Sequence, residues 1–279
     1  MNAKSLWRNK FLWPSIFLIL LLPISISCRH RGSTLPREII LATTTSLDDS
    51  RFLEKILPVF EKETGFKVKP IAVGSGEALA MGRRGDADLL LVHSPELEAD
   101  FMAGNYGLRR EEFMASDFAL VGSAGDPASV KGLPFPEALA KIARLRYPFV
   151  SRGDKSGTHL LETKIWRELG LHPAGAWYWQ TGQGMAQTLR VASEKQAYTL
   201  TDYSTFHQLR TVLQLTVLSK DQNYQNIYSA IVPRKARNRG NESGGERLLE
   251  FLLSPQARQV IISFGSKDEE KECLFRLIR

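Results

Sequence analysis

Cysteine is scarce in this chain of 279 residues, with Cys28 near one end and Cys273 near the other. The five histidines show neither the H-x-x-x-H nor the H-E-x-x-H spacing of a zinc site, and the two cysteines are too far apart in sequence to suggest one. The sequence therefore contains no pattern for a metal-cation carrier, and no metal or cofactor is expected.

A G-x-S-x-G nucleophile elbow is missing as well. Serines are abundant, and His159 or His207 together with Asp202 could complete a catalytic triad. His159, however, falls one residue inside a predicted helix, and this position is equally compatible with an ordinary surface histidine. We therefore do not expect an enzyme, and an exported hydrolase is the less favoured alternative.

The N-terminus lacks the unbroken run of roughly 20 apolar residues that a membrane-spanning helix needs. Basic residues precede an apolar stretch, 11–26, that prolines and serines interrupt, and Cys28 follows directly after a small residue. This order is typical of a bacterial lipoprotein signal, although Ser25 stands where the cleavage motif usually has Leu. The prediction is a signal peptide at 1–27, lipidation of Cys28 and a tether at 28–36. An uncleaved anchor is the alternative.

The predicted processing leaves an exported chain attached by lipid at the periplasmic or outer face of the cell membrane. The formal charge of +7 falls to about +4 when the three cations of the signal leave, and several remaining cations cluster at 234–239. Nucleic acid is the usual partner of such a patch inside the cell. Export makes that partner unexpected, so the cluster is interpreted as a solvated loop, and membrane contact is expected through the lipid anchor only.

Strand-like and helix-like segments alternate from Glu38 to Phe264. An apolar strand at 38–41, for example, is followed by Leu53, Ile56, Leu57 and Phe60, which recur at the spacing of a helix buried on one side. Such alternation predicts an α/β fold with mostly parallel sheets covered by helices. Ligands of open α/β sheets bind at the carboxyl ends of the strands.

Four consecutive hydroxyl residues, Thr43, Thr44, Thr45 and Ser46, lie where the first strand hands over to that helix. At a helix N-terminus the first backbone N–H groups have no intrahelical partner and the dipole is positive, so added hydroxyl donors favour an anion. An ordinary capping turn explains the same residues.

A second segment of the same chemistry, 151–159, follows another short strand. Arg152 supplies a fixed charge with a planar donor fork, and Ser156 and Thr158 add hydroxyls at a helix start. Asp154 is the expected counter-charge of the arginine. A polar loop with a capping serine is the alternative.

Gly74-Ser75-Gly76 forms a third donor set between a strand and a helix. It differs from a dinucleotide fingerprint because Leu79 stands at the third glycine position. Ser75 is therefore a candidate hydroxyl ligand, and a plain tight turn is the competing interpretation.

Six segments occur in order along the chain: LATTTS, VGSGEAL, GDADLLLVHSPE, SRGDKSGTH, WYWQTGQGM and AYTLTDYSTF. With them the chain resembles the tungstate-binding proteins of tungstate-specific ABC importers, from Leu41 to Phe264. The resemblance implies a type II periplasmic-binding-protein fold, with two lobes hinged by two crossover strands near Phe118–Val121 and Tyr228–Val232. Lobe I is expected at 37–120 plus 227–279, and lobe II at 121–226.

The resemblance also implies that the protein closes on a tetrahedral oxyanion and delivers it to a permease driven by an ATPase. The residues that match the family's ligand motifs are Thr43, Thr44, Thr45, Ser46, Ser75, Arg152, Ser156 and Thr158. One departure stands out: after AYTLTD the family usually has Arg-Gly-Thr-Tyr, whereas Tyr203 follows Asp202 here.

Tungstate and molybdate are so similar in size and charge that only the resemblance favours tungstate. Two alternatives stay open, namely an oxyanion sensor on the same fold and a binding protein for another anion such as phosphate or sulfate. The export signal and the lack of a helix-turn-helix favour transport over sensing.

Overall fold

The computed structural model describes residues 38–234, 242–265 and 273–278. The predicted signal peptide, the lipidation site Cys28, the tether at 28–36 and most of the basic cluster at 234–239 lie outside these residues. No helix in the described part of the chain has the length and apolar character of a membrane span.

The main sheet is built from six strands in the order β10-β4-β9-β3-β1-β2. Their bounds are β1 Glu38–Thr44, β2 Lys67–Val73, β3 Leu89–Val92, β4 Gly107–Gly122, β9 Gln225–Pro233 and β10 Arg276–Leu277. Six helices accompany this sheet: α1 Thr45–Asp49, α2 Leu53–Thr64, α3 Ser75–Arg84, α4 Pro95–Ala103, α9 Glu242–Leu253 and α10 Pro255–Ser263. We call this part of the molecule lobe I.

Lobe II contains the elements between the end of β4 and the start of β9. Its strands are β5 Phe149–Ser151, β6 Tyr178–Gln180, β7 Thr199–Asp202 and β8 Thr216–Ser219. Its helices are α5 Phe135–Leu145, α6 Gly157–Glu168, α7 Met185–Glu194 and α8 Tyr203–Leu209. A separate apolar cluster that includes Phe135, Phe149 and Trp166 packs inside this lobe.

Strand β4 connects the two lobes because it changes partners along its length. Up to Asp117 it pairs with β9 of lobe I, and from Phe118 it pairs with β7 and then β8 of lobe II. The predicted crossover near Phe118–Val121 is confirmed. The second predicted crossover, Tyr228–Val232, is wrong: these residues pair with β3 and β4 inside the main sheet, and the return crossing lies between β8 and β9.

The α/β class is confirmed, but the sheets are mixed rather than mostly parallel. Only β1 with β2, β1 with β3, and β5 with β6 run parallel among the paired strands of the described residues. The two long strands β4 and β9 run antiparallel to each other, because one leaves lobe I and the other returns to it.

The hydroxyl run begins a helix of its own. The predicted helix around Leu53, Ile56, Leu57 and Phe60 is confirmed as α2, with all four side chains buried. The short helix α1 precedes it and starts at Thr45, so the hydroxyl residues cap α1 and not α2. The sequence pattern missed this division because α1 is too short to show a period.

Candidate ligand-binding site

The hydroxyl run spans the end of β1 and the start of α1. Thr44 is the N-cap of α1, and its Oγ1 accepts a hydrogen bond from the Leu47 backbone N–H at 3.4 Å. Thr43, Thr44 and Ser46 are buried. The capping interpretation is therefore correct for Thr44, while the Oγ1 of Thr43 has no partner in the described part of the chain.

Ser75 lies beside the hydroxyl run because of the strand register. Thr44 pairs with Val73 at the ends of the parallel strands β1 and β2, and Ser75 follows as the first residue of α3. Its side chain is 1% exposed.

Arg152 extends from the loop after β5 and is 1% exposed. Its Nη2 donates to Asp154 Oδ2 at 2.5 Å and to Thr45 Oγ1 at 3.4 Å. Asp154 is thus the counter-charge that the sequence predicted, and its Oδ1 also accepts from the Ser156 N–H at 3.1 Å. The arginine of lobe II consequently touches the hydroxyl run of lobe I.

Ser156 and Thr158 open helix α6. Ser156 is its N-cap, with Oγ accepting from the His159 N–H at 3.4 Å, and Thr158 is buried one residue inside the helix. The same start of α6 packs against lobe I, because a Cβ at Gly157 would lie 2.7 Å from the carbonyl oxygen of His93. A second contact between the lobes joins Thr205 Oγ1 to the Ser46 carbonyl oxygen at 3.3 Å.

Four of the eight predicted ligand residues carry buried polar atoms that find no hydrogen-bond partner among the described residues. These atoms are Thr43 Oγ1, Ser75 Oγ, Thr158 Oγ1, and Nε and Nη1 of Arg152. Buried polar atoms are nearly always paired in proteins, and an unpaired one calls for an explanation such as a bound ion. Hydroxyls and a guanidinium can all donate hydrogen bonds, which is the chemistry that suits an anion.

A cavity of about 330 Å³ lies against helix α6, and none of the eight predicted ligand residues is among the residues that line it. It is lined by both lobes, including His93 to Glu96 of lobe I and Gly157, Leu160 and Leu161 of lobe II, and by Tyr224 near the return crossing. In the described residues no cluster of three or more His, Cys, Asp or Glu side chains could hold a metal ion.

Comparison with known proteins identifies the family. Residues 30–256 match the model of the PBP superfamily domain. The chain is 43% identical over 234 residues to the tungstate-binding protein TupA of Peptoclostridium acidaminophilum, a match that covers 82% of each chain. The chain belongs to the TupA family.

Two solved structures agree with this assignment. The tungstate ABC transporter structure from Geobacter sulfurreducens is 37% identical, covers 80% of this chain and 97% of that one, and superposes with a TM-score of 0.73. TupA from Desulfovibrio alaskensis G20 is 36% identical, with coverage of 86% and 98% and a TM-score of 0.70. The resemblance stated from the six sequence segments and the periplasmic-binding-protein fold are both confirmed.

His93 is a site residue that the sequence pattern missed. It follows the buried strand β3 directly. Its Nε2 lies 3.0 Å from Ser46 Oγ, and its ring packs on Tyr228 with 5.0 Å between centroids. Burial, together with the positive charge of Arg152, lowers the pKa of His93 to about 4, so the ring is neutral at pH 7. Its position at the carboxyl end of a strand was the available signal.

Tyr203, the residue that departs from the motif the resemblance implies, is a packed core residue. Tyr203 is 6% exposed and stacks with Phe206 at 6.4 Å between centroids. The ammonium group of Lys220 lies 3.4 Å from the centroid of the tyrosine ring, a cation–π contact. The Tyr203 side chain therefore contributes to core packing and holds the Lys220 ammonium group over its ring.

Proposed function

We propose that this protein captures tungstate between its two lobes, with molybdate as a close competitor, and presents it to an ABC importer. The proposal is supported by the buried donors that have no partner among the described residues, on Thr43 and Ser75 of lobe I and on Arg152 and Thr158 of lobe II. The names of the relatives, which are tungstate-binding proteins, support tungstate over other oxyanions.

The energetics of such a site are favourable. A hydrogen bond to a charged acceptor contributes roughly 1.5 to 3 kcal/mol. Five to eight such bonds contribute roughly 8 to 24 kcal/mol in total. The upper part of this range leaves the roughly 8 kcal/mol net that corresponds to micromolar binding after the costs of ordering and lobe closure. The ligand set we propose is the one that the family motifs indicate: Thr43, Thr44, Thr45, Ser46, Ser75, Arg152, Ser156 and Thr158.

Closure follows from the arrangement of the donors. Because they belong to both lobes, the anion makes its full set of contacts only when the lobes meet, and binding therefore favours the closed state. We propose lobe boundaries of 37–120 plus 227–279 and 121–226, with β4 and the return crossing as the hinge. Export, lipid attachment at Cys28 and delivery to a permease with its ATPase complete the proposal, in which the protein carries a solute and catalyses no reaction.

Isothermal titration of the purified full-length protein in detergent tests the ligand set. We expect tungstate to bind wild-type protein far more tightly than sulfate or phosphate. Arg152→Ala and Thr158→Val should each weaken tungstate binding by about tenfold or more, the loss of one hydrogen bond to a charge. The Thr158 hydroxyl has no hydrogen-bond partner among the described residues, so its removal should leave the unliganded melting temperature unchanged.

Matched controls lie on the same helix. Arg167 is exposed, and the hydroxyl of Thr163 donates to the His159 carbonyl oxygen at 2.9 Å. Arg167→Ala and Thr163→Val should therefore bind tungstate like the wild type. Unchanged affinity in both Arg152→Ala and Thr158→Val would refute the proposed site, and absence of tungstate binding by the wild type would refute the proposed ligand.

A further inference from the structure

A buried carboxyl group lies at the start of helix α8. Asp202 is the last residue of β7 and is fully buried. Its Oδ1 accepts two hydrogen bonds at 2.8 Å, from the Thr205 N–H and the Ser204 hydroxyl, and so caps the helix. Its Oδ2 has no partner among the described residues. A bare, ionised carboxylate oxygen in such a place is costly, because four lone-pair sites lose water and only some regain a donor.

The group sits in the same neighbourhood as the anion donors. Thr205, three residues on, donates to the carbonyl oxygen of Ser46, and this contact joins the start of α8 to the hydroxyl run. The charged and titratable groups that face Asp202 are Arg152 after β5, Asp49 of α1 and Tyr228 of β9. From β4, the residue paired with it is the apolar Phe118.

The charges around the site do not compensate an ionised Asp202 carboxylate in addition to a bound oxyanion. Arg152 is already paired with Asp154 at 2.5 Å. An ionised Asp202 would therefore add an uncompensated negative charge beside the bound dianion. Burial raises the pKa of Asp202, and the hydrogen bonds from Thr205 and Ser204 and the charge of Arg152 oppose the rise. Burial likewise raises the pKa of Asp49.

We propose that Asp202 is a specificity-determining residue that stays protonated and donates its Oδ2–H to the bound oxyanion. This inference rests on the proposed function and deepens it. A site lined by hydroxyls, a guanidinium and a protonated carboxyl supplies the donors that a fully deprotonated dianion such as tungstate needs. Hydrogen phosphate brings a P–OH group that needs an acceptor, and an acidic Asp202 offers none, since Oδ1 is occupied by the helix cap. The site then discriminates against protonated oxyanions, because their hydroxyl meets no carboxylate acceptor at Asp202 and the neutral hydroxyls present accept more weakly.

Two substitutions separate donation from capping. Asparagine and serine both cap helices well, so Asp202→Asn and Asp202→Ser should both fold. The asparagine NH₂ group replaces the carboxyl O–H as a donor at the Oδ2 position, whereas serine has no second polar atom there. Titration with sodium tungstate at pH 7 should give Asp202→Asn within about threefold of the wild-type affinity, and Asp202→Ser weaker by about tenfold or more, the value of a hydrogen bond to a charge.

Each other outcome overturns the proposal. Equal affinity in wild type and both variants would mean that Asp202 only caps α8. Tighter binding by both variants would mean that the wild-type carboxyl is ionised and repels the anion. Titration of the wild type with sodium phosphate adds a direct check, because binding as tight as that of tungstate would contradict the selection against protonated anions. Wild-type protein that does not bind tungstate would refute the proposed function itself, and this inference with it.

Discussion

Gly157 lies where the proposed closure of the lobes would bring a side chain into contact with His93. It is the first residue of α6 in lobe II, and it packs against His93 at the end of β3 in lobe I. A Cβ at this position would lie 2.6 Å from His93 Nδ1 and 2.7 Å from the His93 carbonyl oxygen. The ring is buried and the carbonyl belongs to the backbone, so neither can move aside cheaply.

Gly157→Ala should therefore weaken tungstate binding without weakening the fold. Overpacking a tight contact typically costs about 1 to 3 kcal/mol. The clash arises only when the lobes meet, so this cost is subtracted from the binding free energy and lowers affinity by about five- to 150-fold. In the open protein alanine is accommodated, and it favours a helix more than glycine does. The melting temperature without ligand should be equal or higher.

Titration calorimetry measures the affinity, and the fluorescence of tryptophans such as Trp179 can follow closure. Gly125→Ala is the matched control, because a Cβ there meets nothing within 4 Å and its φ is not in the left-handed region. Wild-type affinity in a correctly folded Gly157→Ala protein would show that α6 and His93 need not meet for binding, and the reasoning about closure would be wrong.

Two further predictions concern stability and lie away from the anion. Burial raises the pKa of Glu162 to about 7, against 4.5 for the ordinary side chain. Between pH 4.5 and pH 7 the folded protein therefore binds more protons than the unfolded chain. The free energy of unfolding consequently falls as the pH rises through this range. The loss of unfolding free energy is about 3 kcal/mol by pH 8, at roughly 1.4 kcal/mol per pKa unit. Urea unfolding at several pH values should show this loss in the wild type and not in Glu162→Gln. Parallel pH profiles of stability in the two proteins would contradict the prediction. The Tyr198 hydroxyl accepts from the Ala128 N–H at 2.8 Å and donates to Asp126 at 2.9 Å, so Tyr198→Phe should lower the unfolding free energy by about 2 kcal/mol and leave tungstate affinity within twofold. A loss of affinity at unchanged stability would assign Tyr198 a role in binding instead.

The local sequence pattern was sufficient to predict several of the elements on which the candidate ligand residues lie. The spacing of Leu53, Ile56, Leu57 and Phe60 predicted α2, and the hydroxyl run was predicted at a helix N-terminus that follows a strand. Arg152 and Asp154 were predicted as an ion pair, which they form at 2.5 Å. These features could be read from the sequence because neighbours along the chain decide helix periods, caps and short ion pairs.

The meeting of the two halves of the site could not be read in the same way. Arg152 touches Thr45 across 107 positions of sequence, and Thr205 touches Ser46 across 159. The mixed strand directions and the location of the return crossing also differed from expectation, and the contact between His93 and Ser46 was not predicted from the sequence. All of them depend on which strands pair with β4 and β9. The periodicity of residues along one strand does not show which other strand will pair with it.

The amino-acid sequence alone determined the chemistry of this protein: its donors, their positions at strand ends and their family pattern. The tertiary structure decided which of those donors are left without partners, which carboxyls are buried beside them and where a missing Cβ lets the lobes touch. The physical reason is that donor chemistry is a property of each residue, whereas burial and unsatisfied hydrogen bonding arise only when distant segments pack together.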